Sequence, residues 1–180
     1  DNLEILEIPN FGSAMDRFNP DEAARVRWTF DGQEIFKSGV RAMAQASAEA
    51  IEKSGLSKED VDIFIPHQAN IRIVEALEKK LGLPNATTIK KVHRYGNTSA
   101  ASIPTAFVDA LEEGEIKGGE IAVFTAVGAG LAWGACAVRL GDRVTPINKS
   151  DAKLPDFDGT ATDTIKRAIE YQVPDKLDKI

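Results

Sequence analysis

Ile65-Pro66-His67-Gln68-Ala69-Asn70, followed about a helix later by Gly96-Asn97-Thr98-Ser99-Ala100-Ala101-Ser102, are the two stretches that decide the fold. Each closes a short apolar run and opens a segment with helical spacing, the way a strand hands over to a helix in an α/β layer. One junction carries an imidazole and the other a carboxamide, and both fall at the carboxyl edge of a sheet, where such folds bind ligands. Two neutral N–H donors placed there can hold an oxygen that is gaining negative charge. Gly96, just before Asn97, would let a substrate or backbone approach closely.

Outward from these junctions, Leu3 to Ile8 alternates apolar and acidic residues and predicts a half-exposed strand. Pro9 to Asp31 is irregular, with a short helix possible from Asn19-Pro20-Asp21-Glu22. Phe36, Val40, Met43, Ser47, Ala50 and Ile51 recur at steps of three and four, predicting a helix over 34–54 that ends at Gly55. Ser57 caps a helical turn, and Val61 to Ile65 form a strand that stops at Pro66. A helix from Asn70 to Leu81 turns Ile71, Val74, Leu77 and Leu81 inward and ends at Gly82. Ile89 to Tyr95 reads as extended, and Ser102 to Glu112 as a helix that tolerates Pro104 in its first turn. Glu120 to Val127 and Leu131 to Leu140 are two apolar strands joined by Gly128-Ala129-Gly130. Strands alternating with helices and ending in an adjacent pair predict an α/β fold, a mixed sheet with helices on its faces. After residue 140 the chain turns polar and Pro-broken, a C-terminal arm over 141–180 with a short helix from Thr162 to Gln172.

The 180 residues suffice for one domain with a real core, and the apolar share of 43% is ordinary for a globular protein. No window approaches the roughly 18 apolar residues of a membrane span. Asp1-Asn2-Leu3-Glu4 has no signal-like character and reads as a strand entered in mid-fold. A single cysteine fits a reducing, cytoplasmic setting. The net charge of −6 argues against nucleic acid as partner while leaving room for local basic patches.

Several residues allow a plain structural reading beside a functional one. His67 could be a satisfied structural histidine, and Asn97-Thr98-Ser99 a helix cap leading into small residues packed on a sheet. Gly128-Ala129-Gly130 is either a tight turn or a set of backbone donors. Arg72 and Lys79, seven residues apart with Lys80 adjacent, lie near one helix face, which is either solvated or a dock for an acidic partner. Cys136, inside an apolar strand, reads as a buried inert thiol, and His93 as an exposed or capping side chain. No spacing resembles a metal site, a phosphate-binding glycine loop or a hydrolase elbow.

Pro66-His67-Gln68-Ala69-Asn70-Ile71-Arg72-Ile73, Gly96-Asn97-Thr98-Ser99-Ala100-Ala101-Ser102-Ile103-Pro104 and Gly128-Ala129-Gly130-Leu131-Ala132-Trp133-Gly134 occur together, in this order, in one family. From about Gly32 to Leu140 the chain resembles the C-terminal half of 3-oxoacyl-acyl-carrier-protein synthase III, a thiolase-like enzyme. The resemblance implies a thiolase-like half-domain over 1–140. It also implies a decarboxylative Claisen condensation with no cofactor, the substrates being acyl-CoA and malonyl-acyl carrier protein. In such enzymes a Cys-His-Asn triad does the chemistry. By resemblance His67 and Asn97 are its histidine and asparagine, and the backbone of Ala129, where glycine is usual, helps form an oxyanion hole. Gly32, Gln33 and Asn70 match positions that contact the coenzyme A arm, with Gln33 standing where asparagine is common. Lys37, Arg72, Lys79 and Lys80 match a basic patch that receives the acidic acyl carrier protein. Val127 and Leu131 replace frequent phenylalanines beside the acyl pocket.

No residue here matches the motif of the nucleophilic cysteine. The resemblance therefore implies a cysteine-bearing N-terminal half as partner, in the same gene or a separate chain, within an enzyme whose family forms homodimers. Two further readings are a non-catalytic module that binds coenzyme A or carrier protein, including the partner subunit of a split synthase, and a secondary-metabolism condensing enzyme using unusual acyl groups.

Overall fold

Ile63-Phe64-Ile65-Pro66 is apolar at every position because it is covered on both sides. In the computed structural model, which describes residues 6–7, 29–146 and 159–172, this stretch is strand β3 and all four residues are buried. It is preceded by two short strands, β1 (Leu6–Glu7) and β2 (Thr29–Phe30), paired antiparallel with Leu6 opposite Phe30. The strand at Thr29–Phe30 corrects the reading of Pro9 to Asp31 as wholly irregular. The possible helix at residues 19–22 lies outside the described residues.

Helix α1 (Gly32–Lys53) begins two residues earlier than the periodicity predicts. The reason is Asp31, whose carboxylate accepts from the backbone N–H groups of Gln33 and Glu34 and so satisfies two donors of the first turn. A 3₁₀ turn at Lys58–Asp60 follows, then β3, then α2 (Ile71–Leu81). Asn70 caps α2 by accepting from Ile73 N–H at 3.0 Å, and Gly82 ends it in the left-handed conformation, φ +57°. Next come β4 (Thr87–Thr88), one helical turn α3 (Val92–Tyr95), and α4 (Ser102–Glu112) entered through a 3₁₀ turn at Ser99–Ala101. The hairpin strands β5 (Ile121–Gly128) and β6 (Ala132–Arg139) complete the sheet.

The sheet order is β4-β3-β5-β6, with β3 parallel to β4 and β5, and β6 antiparallel to β5. The expected mixed sheet is therefore present. Strand alternation sends Phe64 and Val123 to one face, where they meet Val40, Met43, Ala44, Ile73, Leu77 and Leu81 of α1 and α2. Ile63, Ile65 and Ala122 go to the other face, against Ala106, Ala110 and Leu111 of α4. Parallel strands covered on both faces read as continuous apolar runs, as β3 does.

Three readings change. Ile71 is 40% exposed, because the buried face of α2 starts at Ile73 and the first residue overhangs the sheet edge. Residues 89–95 are not one extended segment: Ile89 N–H donates to Phe64 C=O beside the sheet, and the chain then coils into α3. Cys136 is exposed rather than buried. It lies on β6, the outer strand of the sheet, whose apolar residues reach α1 only on the face that carries Ala137.

The chain divides into two units, Asp1–Ile147 and Asn148–Ile180. In the second, α5 (Ala161–Gln172) matches the predicted helix and is capped by Thr160, which exchanges hydrogen bonds with Asp163 in a capping box. The rest of the arm beyond Pro146 lies outside the described residues. Among the described residues no helix is long and apolar enough to cross a membrane.

Phe64 is fully buried in the core between β3, α1 and α2. Phe64→Ala is expected to lower the unfolding free energy by about 3–5 kcal/mol, read from the midpoint of a urea titration.

Candidate active site

His67 is the first residue beyond β3, and the sheet still holds it: its N–H donates to Thr125 C=O on β5 at 2.7 Å. Because Pro66 pairs with Thr125, β5 runs three residues further to Gly128. The turn containing Ala129 therefore overhangs the same carboxyl edge that carries His67. The imidazole is half-buried, with Nδ1 2.6 Å from Ser102 Oγ at the start of α4. Burial pushes its pKa below the ordinary 6.5, since the charged ring would give up hydration without an anion to replace it. At neutral pH the ring is uncharged and donates through one nitrogen only.

Gln68 is 2% exposed, and its amide is used up by backbone. Nε2 donates to the carbonyls of Pro66 (2.7 Å) and Ile89 (3.2 Å), while Oε1 accepts from the N–H groups of Lys91 (2.9 Å) and Val92 (3.2 Å). Its own backbone N–H donates to Ser102 Oγ at 3.2 Å. One side chain thus fastens the His67 loop to the start of α3, and one hydroxyl fastens it to α4. Asn97 sits on the short connection between α3 and α4.

Asp109 of α4 anchors that connection from the other side, accepting from Arg94 at 2.8 Å and from Tyr95 Oη at 2.9 Å. Its second oxygen is buried without a hydrogen bond and faces Lys91 Nζ at 3.8 Å. Asn97 itself is exposed, and its Oδ1 accepts from Ser99 N–H at 2.9 Å. With the oxygen committed, the amide N–H groups remain to donate outward. Gly96 has φ +66°, a conformation that favours glycine, and among the described residues an added Cβ would meet nothing within 4 Å. Ser99 also has positive φ (+52°), so the loop is held in a conformation that costs energy locally.

Beside this edge lies a groove of about 620 Å³ lined by Gly32, Gln33, Phe36, Lys37, Asn70, Ile71 and Arg72. It gathers all three positions read from sequence as coenzyme A contacts, together with Lys37 and Arg72. The N-terminal ends of α1 and α2 both open on it, adding positive dipole ends to the two cations. Lys79 and Lys80 do not line it. They lie about two turns further along α2, roughly 10 Å from Arg72. Phe36 packs against the core as its spacing predicts and also borders the groove, whereas Ile71, read from its spacing as core, faces the groove; nothing in periodicity separates a core-facing from a groove-facing residue at a helix start.

A family model described as "3-Oxoacyl-[acyl-carrier-protein (ACP)] synthase III C terminal" matches residues 51–140. The chain belongs to this family. A beta-ketoacyl-acyl-carrier-protein synthase III 2 of Vibrio cholerae is 49% identical over 170 residues, 93% of this chain and 46% of that protein. A synthase III of Bacillus pumilus is 54% identical over 111 residues, 62% of this chain and 36% of that protein. Among solved structures, the synthase III of Thermus thermophilus superposes with a TM-score of 0.63 at 39% identity, covering 78% of this chain and 43% of that one. The priming beta-ketosynthase of the R1128 polyketide pathway gives 0.69 at 32%, covering 78% and 42%. The chain spans about half the length of the curated relatives it matches. The fold is the thiolase-like α/β arrangement of these synthases.

In this synthase III C-terminal domain, local pattern assigns no role to Gln68 and only close packing to Ser102. Both lie inside quoted motifs, yet apart from Pro66 their partners are 21 to 35 positions away in the chain, so no local pattern marks them.

Gln68→Leu strands two buried carbonyls and two N–H groups, and at roughly 1–3 kcal/mol for each unsatisfied group should destabilise the domain by at least about 2 kcal/mol in a urea titration. The lowered pKa of His67 sets a second expectation. The unfolded ring binds protons more readily than the folded one, so its contribution to stability is full above pH 6.5 and is lost as the pH falls toward the folded value. His67→Gln should flatten that decline, as measured by unfolding midpoints across pH 5 to 7.

Proposed function

We propose that this domain supplies the enolate-holding half of a decarboxylating condensation site, with His67 and Asn97 donating hydrogen bonds to a malonyl thioester oxygen. What supports the reading is the fastening of both loops to one sheet edge by Gln68 and Ser102, with a neutral ring on one and a free amide N–H on the other. In the proposed reaction an acyl group rides on a cysteine sulfur supplied by the half of the enzyme that this chain does not match. Malonyl-carrier protein loses carbon dioxide, and the electron pair of the broken bond passes to the thioester oxygen as an enolate. That oxygen gains charge only in the reaction, so donors waiting for it act on the transition state more than on the bound substrate. The enolate carbon then attacks the acyl carbonyl, the carbon–sulfur bond to the cysteine breaks, and the cysteine thiolate leaves. The Ala129 N–H, on the turn beside His67, joins the cysteine's own N–H in holding the acyl oxygen.

The groove takes the pantetheine and phosphate arm of acyl-CoA. Gly32 allows close passage, Gln33 and Asn70 contact the arm, and two helix ends with two cations suit its phosphates. Lys37, Arg72, Lys79 and Lys80 receive the acidic carrier protein. The 180 residues alone hold no activity in this reading, because the attacking thiolate is absent.

The test is a chimera in which this chain replaces the matching region of the Vibrio cholerae relative. The chimera is expected to condense acetyl-CoA with malonyl-carrier protein. His67→Ala and Asn97→Ala should each slow condensation by about 10²–10³-fold while acylation of the cysteine continues. Full condensation by Asn97→Ala, or a stable thioester on Cys136 when the isolated chain meets acetyl-CoA, would overturn the reading. Arg72→Ala should weaken binding of malonyl-carrier protein in calorimetry, and the difference should shrink as salt is raised.

A further inference from the structure

We propose that Ser102 is a positioning residue that fixes His67 as the tautomer carrying its proton on Nε2. The inference takes its consequence from the role given to His67 above, but its geometry stands apart from it.

Ser102 is 3% exposed, and its Oγ has two neighbours, His67 Nδ1 at 2.6 Å and the Gln68 N–H nitrogen at 3.2 Å. A hydroxyl offers one proton and two lone pairs, and the Gln68 N–H, which can only donate, occupies one lone pair. Two arrangements remain for the contact with Nδ1. In the first the Ser102 O–H donates to an unprotonated Nδ1, so the ring proton sits on Nε2. In the second a protonated Nδ1 donates to the remaining lone pair of Ser102, and the serine proton must find another acceptor. Among the described residues Oγ has none within hydrogen-bond distance: its partners are His67 Nδ1 and the Gln68 N–H alone. The second arrangement buries an unpaired hydroxyl proton, whereas the first leaves every group on Ser102 satisfied.

The backbone N–H of Gln68 therefore selects the tautomer through the serine. It is the residue next to His67, held in place by the clamped amide of its own side chain. The ring is left with a donor on Nε2, the nitrogen that has no partner among the described residues. A synthase that needs a donor toward an enolate, and never an acceptor there, gains from excluding the other tautomer before substrate arrives.

The test uses the 180-residue chain labelled with ¹⁵N-histidine, where His67 and His93 give the only ring signals and His93→Gln assigns them. At neutral pH the His67 Nε2 shift is expected in the range of a protonated ring nitrogen and Nδ1 in the unprotonated range. Ser102→Ala should move both toward intermediate values, the average of two exchanging tautomers, and Ser102→Thr, which keeps the hydroxyl, should restore the split. A protonated Nδ1 in the native chain, or unchanged shifts in Ser102→Ala, would overturn the proposal. If Ser102→Ala does not fold, Ser102→Cys, a weaker donor of similar size, should give a reduced split, and an unreduced one counts against it. No substrate enters these measurements, so failure of the condensation reaction and failure of the tautomer assignment are seen separately.

Discussion

One buried carboxamide, that of Gln68, holds the functional edge of this domain together. A polar side chain with almost no exposure would be a liability unless every lone pair and proton found a partner. Here the partners are four backbone groups drawn from the end of β3 and from the segment between β4 and α3. Those segments could not pair with each other directly, since one has just left the sheet and the other is turning into a helix. The amide substitutes for a missing rung of the ladder. Loops that carry chemistry are usually the softest parts of a fold, and this one is fastened at the residue adjacent to the candidate hydrogen-bond donor, His67.

Charge is divided along the same edge. His67 is half-buried against the Ser102 hydroxyl, and that burial keeps the ring neutral. A few residues on, the chain enters α2, and the groove beside it is bounded by two helix starts, Lys37 and Arg72. An anionic arm can therefore be held electrostatically without placing a cation against the ring, which would alter its hydrogen-bonding role. The two residues between His67 and Asn70, Gln68 and Ala69, separate the two environments. The ion network of Lys91, Arg94, Asp109 and Glu113 lies on the far side of the Asn97 connection and acts as an anchor for it.

Much of the fold was legible from local pattern. The helices α1, α2 and α4, the hairpin β5–β6 and the cap-and-glycine boundaries at Asn70 and Gly82 all follow from spacing and turn chemistry, and each stands within a few residues of its predicted limits. The failures share a cause. Cys136 was read as buried from its apolar neighbours, but burial depends on what covers the strand, and β6 lies at the outside of the sheet. Ile71 fits a helical stripe yet overhangs the edge. Residues 89–95 look extended until the Gln68 amide, more than twenty residues earlier, draws their N–H groups into a turn.

By itself the sequence determined which residues could do chemistry and at which strand–helix junctions they stand, because period, caps and breaks are short-range properties of the chain. Only the tertiary structure decided that the imidazole and carboxamide loops are fastened to each other, that a serine hydroxyl takes Nδ1, and that the groove collects residues from two helices. The first two of those outcomes depend on contacts between positions 21 to 35 apart, the groove on residues 33 to 40 apart, and all on which groups are left exposed or unpaired once the backbone has folded. No local pattern encodes that remainder.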